Sequence, residues 1–461
     1  MFTYFNQGIN FIALILLSRL LSPSDYGIFA LIGVFSAFIS IFQDNGILQA
    51  IIRGDKNDPG YSEKLNTLSL FTGIFCTVFM WILAIPISMF YKNDALIMPS
   101  LLIGLTFLLN SLIIVPNASL QKELKFKLFG TIQVISNIAA LICCCTAAYF
   151  GMSYWSLVIR ELAFFSFQLV LLLNFNKVGF NFNVREMRNS FIRIKLLIMN
   201  ITGFNVINFF SRYSDNLLIG KIYGEEKLGI YNRAYSLIYL CINLISGIFN
   251  QVLLPSLEKQ NNSNISREYF FSTNLIAFLL FPLMLLFNVI PNHITLFIFG
   301  NKWTEISLLL PYIGILIFAQ CQINIVGNIF VLCKKEKYLV KVALINTILS
   351  VTGIVIGLFF SFFDVIKYYT LFSIGLSMPV TVYIVYHIVL SNSFSSFIRF
   401  WLPKIGIIWV AYSLIWFQKE TNLIAWACLS IFFYIHIIIQ ERVLILNFSL
   451  RLKNKIQNPK N

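Results

Sequence analysis

Charge is what this sequence has least of. Only 11% of its residues are Asp, Glu, Lys or Arg, while 58% are apolar. A soluble domain is about 45–50% apolar and about 25% charged. A chain of 461 residues with so few charges cannot solvate a globule of its size, so a bilayer has to serve as its solvent. Polar stretches are short as well, which leaves no segment able to form an independent soluble domain. Acidic side chains are the scarcest, 19 against 34 basic ones, for a formal net charge of +15. A surplus of this sign can signal nucleic acid, but that needs a basic face on a folded polar domain, and none is available. There is no HExxH, no GxSxG, no Walker loop and no carboxylate pair in a loop outside the membrane. The lack of a nucleotide-binding motif argues against an ATP-driven pump in this chain. The eight cysteines, Cys143 to Cys145 among them, lie in apolar runs or at a helix end. Successive residues on a helix point about 100° apart, so three adjacent thiols cannot converge on a metal. We expect no cofactor and no metal.

What is present is apolar run after apolar run. A spanning helix needs about 20 mainly apolar residues. Fourteen fit, at 2–21, 26–51, 65–91, 96–118, 128–150, 153–175, 194–220, 229–254, 270–299, 307–332, 338–361, 367–390, 402–418 and 422–440. The longest connection expected is 176–193. The start MFTYFNQGINFIALILL has no basic lead and no small-residue cleavage site, so it does not read as a signal peptide. Its apolar run begins almost at Met1, which leaves room for a start further upstream. With the N-terminus in the cytoplasm and the spans alternating, 24 Lys and Arg fall on cytoplasmic segments, Lys404 among them, and 7 on outer ones. This positive-inside bias supports both the span count and an orientation with both termini cytoplasmic. It also accounts for most of the basic surplus without nucleic acid.

The chain echoes itself. RLLSPSDYGIF (19–29) and KIYGEEKLGIY (221–231) align without gaps at an offset of 202, and GILQAII (46–52) echoes GIFNQVL (247–253) further on. A parallel repeat follows, the arrangement of many transporters with a site between two halves. We expect an all-α integral membrane protein of about fourteen transmembrane helices. Its parts would be an N-terminal lobe (1–193), a C-terminal lobe (194–390), and two further helices with a basic tail (391–461). Turn chemistry accounts for Pro23, Gly27, Gly224 and Gly229. Interfacial anchoring accounts for Tyr154, Trp155 and Trp303 at helix ends.

Charges inside the spans are the candidate functional residues: Asp44, Arg160, Glu161, Arg212, Asp215 and Arg233. Each costs about 2.5–3.5 kcal/mol at a helix centre, so such groups face a bundle interior or a wet cavity, pair up and mark a pathway. Tolerance by simple pairing is the plain alternative. Asp215 and Arg233 fall at similar depth on two helices joined by a short turn, which predicts a pair between them, with Arg212 on the same face as Asp215.

Several stretches also resemble a known family. SRLLSPSDYGIFAL (18–31), DNGILQAIIR (44–53), LQKELKFKLFG (120–130), YFGMSYWSLV (149–158), SDNLLIGKIYGEEKLGIYNRAYSL (214–237), VLLPSL (252–257) and FGNKWTEI (299–306) are similar to the polysaccharide flippases. These belong to the multidrug/oligosaccharidyl-lipid/polysaccharide exporter superfamily and move O-antigen or capsule repeat units. The matches cover nearly the first two thirds of the chain in order, the last four helices matching only in hydropathy. The resemblance implies alternating access in the cytoplasmic membrane, with a polyprenyl-pyrophosphate-linked oligosaccharide as substrate and bilayer lipid as surroundings. It implies a cationic cavity in which Arg160, Arg212 and Arg233, with Arg19 near the outer mouth, offer guanidinium forks to pyrophosphate. Asp44, Glu161 and Asp215 would be charge partners or gating groups. Energy would come from a coupling ion (proton or sodium), from the membrane potential or from product removal outside. Besides a purely structural membrane scaffold, which the intramembrane charges count against, two alternatives stay open. One is another exporter of the same superfamily, for a lipid-linked cell-wall precursor or a drug; the other is a polytopic polysaccharide polymerase or ligase, an enzyme class that typically carries a large outer catalytic loop.

Overall fold

The computed structural model describes residues 2–43, 47, 50–51, 60–175, 178–248, 262–333, 335–417 and 423–457. These residues are helical almost throughout. The helices are α1 (Phe2–Leu20), α2 (Pro23–Gln43), α3 (Tyr61–Tyr91), α4 (Ile97–Lys122), α5 (Phe126–Tyr149) and α6 (Trp155–Phe175). A long run, Val184–Ile248, follows; it is broken at Gly224, whose φ of 80° and ψ of −177° are not helical. We number its arms α7 (184–223) and α8 (225–248). Then come α9 (Asn262–Val289), the short α10 (Pro291–Ile298), α11 (Ile306–Leu332), α12 (Glu336–Leu358), α13 (Phe362–Val389), α14 (Phe394–Phe417) and α15 (Leu423–Gln457). Eleven of them are long and apolar enough to cross a membrane by length and composition. With α1 and the two polar arms α7 and α8 they make the fourteen spans expected, and the chain is a multi-pass membrane protein.

Local chemistry sets the breaks. Ser22 caps α2: its backbone N–H and hydroxyl both donate to Asp25 Oδ2, at 2.8 and 2.7 Å, and Asp25 N–H donates back to Ser22 Oγ at 3.3 Å, the reciprocal geometry of a capping box. Gly224 reverses the chain at a positive φ, which costs glycine nothing. Pro291 divides the expected span 270–299 into α9 and α10, since proline cannot supply the N–H that a continuing helix needs and sits well at a helix start. Two other expectations are corrected. The connection expected over 176–193 is helical from Val184 onward, because turn residues run out there. Lys404 is not a cytoplasmic loop charge but a fully buried residue within α14; its ammonium donates to Asn274 Oδ1 and lies 3.6 Å from the Phe400 ring centroid.

By contacts the chain divides into two compact units: Met1–Arg233 with Leu296–Trp303, and Ala234–Thr295 with Thr304–Asn461. In the first, α3 packs along α4, α5 along α6, α4 against α6 and α1 against α5. Its apolar contacts include Leu17, Leu21, Cys144 and Leu157 packed with Tyr26. In the second, α11 is the core. Ile313, Gly314, Ile315, Leu316, Ile317, Phe318 and Ala319 are all buried, so its middle is covered on every side, with α9, α13 and α14 among its neighbours. Lys335 donates to the Ile388 and Val389 carbonyls at 2.7 and 3.3 Å, a cation on the last carbonyls of α13.

Candidate functional site

The first unit holds most of the charges singled out in the sequence, and its hairpin decides where they point. Around Gly224, residues 16 apart meet across the arms. Tyr231 Oη donates to Asp215 Oδ2 at 2.7 Å, and Asn232 Nδ2 donates to Asn216 Oδ1 at 3.2 Å. Asp215 is buried, and its Oδ1 also accepts the Asn216 N–H at 2.7 Å. Two residues beyond Tyr231 the helix has turned by about 200°, so Arg233 faces away from α7. Its guanidinium donates to Tyr26 Oη and stacks 3.6 Å from the centroid of the Tyr26 ring. The expected Asp215–Arg233 pair is therefore replaced: the acid goes to Tyr231 and the base to Tyr26. Equal depth on two helices does not make a pair when the faces differ.

Gly27 and Gly229 are likewise not turn residues. Each sits inside a helix where α2 crosses α8. A Cβ at Gly27 would lie 1.8 Å from the backbone oxygen of Glu225, and one at Gly229 would lie 1.9 Å from that of Pro23. The two contacts exchange under the offset of 202, since 23 maps to 225 and 27 to 229. Only glycine permits so close a main-chain approach.

Tyr26 is packed from its other side. Trp303 meets it edge-on at 5.6 Å between centroids, is wholly buried and donates its indole N–H to the Ser18 carbonyl at 2.7 Å. Trp303 is thus an internal strut and not an interfacial anchor. Around it, Arg19 donates to the Phe297 carbonyl at 2.9 Å and Lys302 to the Leu20 carbonyl at 3.1 Å. Segment 296–303 is thereby fastened to the end of α1.

Of the four expected arginines, Arg233 is held on Tyr26 and Arg160 reaches Asn10 Oδ1 at 3.5 Å. The two lie within electrostatic reach of one another. Arg19 sits apart, with Lys302 at a pocket of about 330 Å3. Arg212 is exposed on α7. Glu161, next to Arg160 on α6, is half-buried. Asp44 lies outside the described residues.

Arg160 and Glu161 open onto a chamber of about 300 Å3 lined by Asn6, Asn10, Gln133 and Asn137, with Phe164 and Phe165. Through Glu161 and Phe165 it meets a second chamber of about 270 Å3 that includes Gln43 and Asn110. Asn110 donates to Gln43 Oε1 at 3.1 Å. No intramembrane charge marks these carboxamides in the sequence. Their signal was available, as Asn and Gln interrupting apolar runs on α1, α2, α4 and α5. Among the described residues no group of three or more His, Cys, Asp or Glu could hold a metal ion.

A family profile described as "Polysaccharide biosynthesis protein" matches residues 16–308. Similar chains include the teichuronic acid biosynthesis protein TuaB of Bacillus subtilis (strain 168). It is 24% identical over 64% of this chain, and the match spans 61% of its own length. Another is the lipopolysaccharide biosynthesis protein WzxC of Escherichia coli (strain K12), 22% identical over 76% of this chain and 72% of its own. Among solved structures, the lipid II flippase MurJ in an inward closed conformation superposes with a TM-score of 0.67. It is 14% identical and covers 96% of this chain and 98% of its own. An inward-facing MATE-family multidrug resistance transporter of the MOP superfamily gives a TM-score of 0.63 at 13% identity, over 81% of this chain and 92% of its own. At these identities the structural likeness speaks to fold.

Proposed function

The chain belongs to the polysaccharide biosynthesis protein family, and from that premise we propose that it is a flippase for polyprenyl-pyrophosphate-linked oligosaccharide repeat units. It would move them across the cytoplasmic membrane for O-antigen or capsule synthesis. The observation that carries the reading is that two arginines, Arg160 at a polar chamber and Arg233 on Tyr26, lie in membrane-spanning helices within electrostatic reach of one another. Two guanidinium groups within electrostatic reach in a bilayer repel one another and are costly. A bound diphosphate would relieve both the repulsion and the desolvation, through paired N–H···O bonds.

In this reading Arg233 leaves Tyr26 for the pyrophosphate, while the polyprenyl tail stays in lipid. Arg19 and Arg212 serve the substrate's path outside that pair. Glu161 sets the charge beside Arg160, and Asp215 stiffens the hairpin through Tyr231. The lobes are 1–193 and 194–390, with 391–461 added, and both termini are cytoplasmic. The exchange of contacts between Gly27 and Gly229 supports that two-lobed repeat. We assign the chain no bond-making step and leave the driving force to a coupling ion or to the membrane potential, which gives about 2.3 kcal/mol per charge per 100 mV. The fold alone also fits a drug exporter, and binding of lipid-linked sugar measured against binding of cationic drugs separates the two readings.

The test is translocation by the purified full chain in liposomes, with a lipid-linked oligosaccharide loaded in one leaflet. Time-dependent exposure on the other side, reduced in Arg160→Ala and Arg233→Ala, is the expected result. Exposure no faster than in protein-free liposomes would remove the proposal.

A further inference from the structure

The chamber beside Arg160 has a chemistry of its own. Asn6 and Asn10 on α1, and Gln133 and Asn137 on α5, bring four carboxamides to one space, and its two charges, Arg160 and Glu161, are of opposite sign. A phosphate site would need an excess of positive charge, and this lining has none. Each carboxamide presents an acceptor oxygen and two donor hydrogens, which matches a hydroxyl or acetamido group that both gives and takes a hydrogen bond.

The contacts among these amides are slack. Asn137 reaches Asn6 at 3.4 Å and Asn10 at 3.3 Å, and Arg160 reaches Asn10 at 3.5 Å. All three are beyond the usual 2.7–3.2 Å. The second unit shows what an amide looks like when its role is to join helices. Asn346 takes Ser377 at 2.6 Å and exchanges bonds with Thr381 at 3.0 and 3.1 Å. Polar groups in a membrane are costly when poorly satisfied, so these three slack amides around a cavity, with Gln133 beside them, are poor glue. They are well placed to trade weak mutual bonds for bonds to a ligand. Phe164 and Phe165 add flat apolar faces, suited to the C–H face of a pyranose ring. The volume lies at the lower end of small-molecule sites, about 300–1,000 Å3, so it suits a sugar ring rather than a whole repeat unit.

We propose that this chamber is a sugar subsite, which takes an uncharged pyranose bearing hydroxyl or acetamido groups while the phosphates go to the arginines of the flippase reading, Arg160 at its edge and Arg233. The proposal rests on the flippase reading above and adds where the glycan is read and of what class it is. The experiment measures binding of two lipids to the full chain in nanodiscs. One is polyprenyl pyrophosphate carrying a neutral N-acetylhexosamine; the other is bare polyprenyl pyrophosphate. The wild type is expected to prefer the glycosylated lipid. Asn10→Leu and Gln133→Leu should each cut that preference about five- to tenfold, the effect of losing one or two hydrogen bonds, and should weaken the bare lipid much less. Gln133→Ala, which only opens space, is the second variant should a leucine not assemble, and the same loss is expected of it.

Equal losses for both lipids would overturn the subsite, as would an unchanged preference. A change confined to sodium or pH dependence would do so too, and would assign the chamber to an ion. If the wild type binds neither lipid, the flippase reading fails as well. If it binds both without preference, that reading stands and this one falls.

Discussion

Substituting alanine for Gly27 adds one methyl group at the crossing of α2 and α8. The new carbon would lie 1.8 Å from the Glu225 carbonyl oxygen, whereas carbon and oxygen settle at about 3.3–3.6 Å. The helices must therefore part by about 1.5 Å. No rotamer change can relieve the clash, because the obstacle is main chain. Overpacking costs about 1–3 kcal/mol, and a backbone obstacle places Gly27→Ala at the upper end, about 3 kcal/mol. Alanine's better helix propensity returns up to about 1 kcal/mol, for a net loss of about 2. Gly33, on the same helix, would place a Cβ with nothing within 4 Å, so Gly33→Ala should be neutral or slightly stabilising. Gly229→Ala meets the mirror contact and should cost about the same as Gly27→Ala. Once one substitution has opened the seam, the second needs little more, so the double variant should be less damaged than the sum by about 1–2 kcal/mol. Thermal unfolding of the purified variants in detergent, arranged as a double-mutant cycle, measures all of this. Additive effects, or a Gly27→Ala protein as stable as Gly33→Ala, would refute the argument.

Other outcomes follow from the same contacts. Tyr231→Phe takes the hydroxyl from the buried Asp215 carboxylate and should lower stability by about 1–3 kcal/mol; Asp215→Asn in that background should restore part of it, read by the same melts. Arg233→Lys keeps the charge but loses the planar fork, so liposome translocation should fall at normal expression, and full activity would rule out a bidentate role. Asn274→Leu removes an acceptor from the buried Lys404 ammonium and should destabilise by about 3 kcal/mol or more, whereas Lys404→Met removes the charge itself and should cost less. A reporter active only outside the cytoplasm, fused after residue 461, should stay silent if both termini are cytoplasmic.

The number and order of the helices could be read from the sequence because lipid imposes a length and a composition on every span independently of its neighbours. Proline and glycine then fixed breaks such as those at Pro23 and Gly224. The intramembrane charges were visible one by one for the same reason. Their partners were not. Whether Arg233 meets Asp215 or Tyr26 depends on how an αα-hairpin is rotated about its axis, and two residues of helix turn reverse the answer. Tyr26 and Trp303 carry no charge to flag them, and they meet only because segment 296–303 folds back onto α1. The carboxamides of the chamber come from helices far apart in the chain, so only tertiary packing could show that they share a space. Sequence set what had to be buried in lipid, since that is a property of each segment; packing decided which polar groups face one another, since that is a property of pairs.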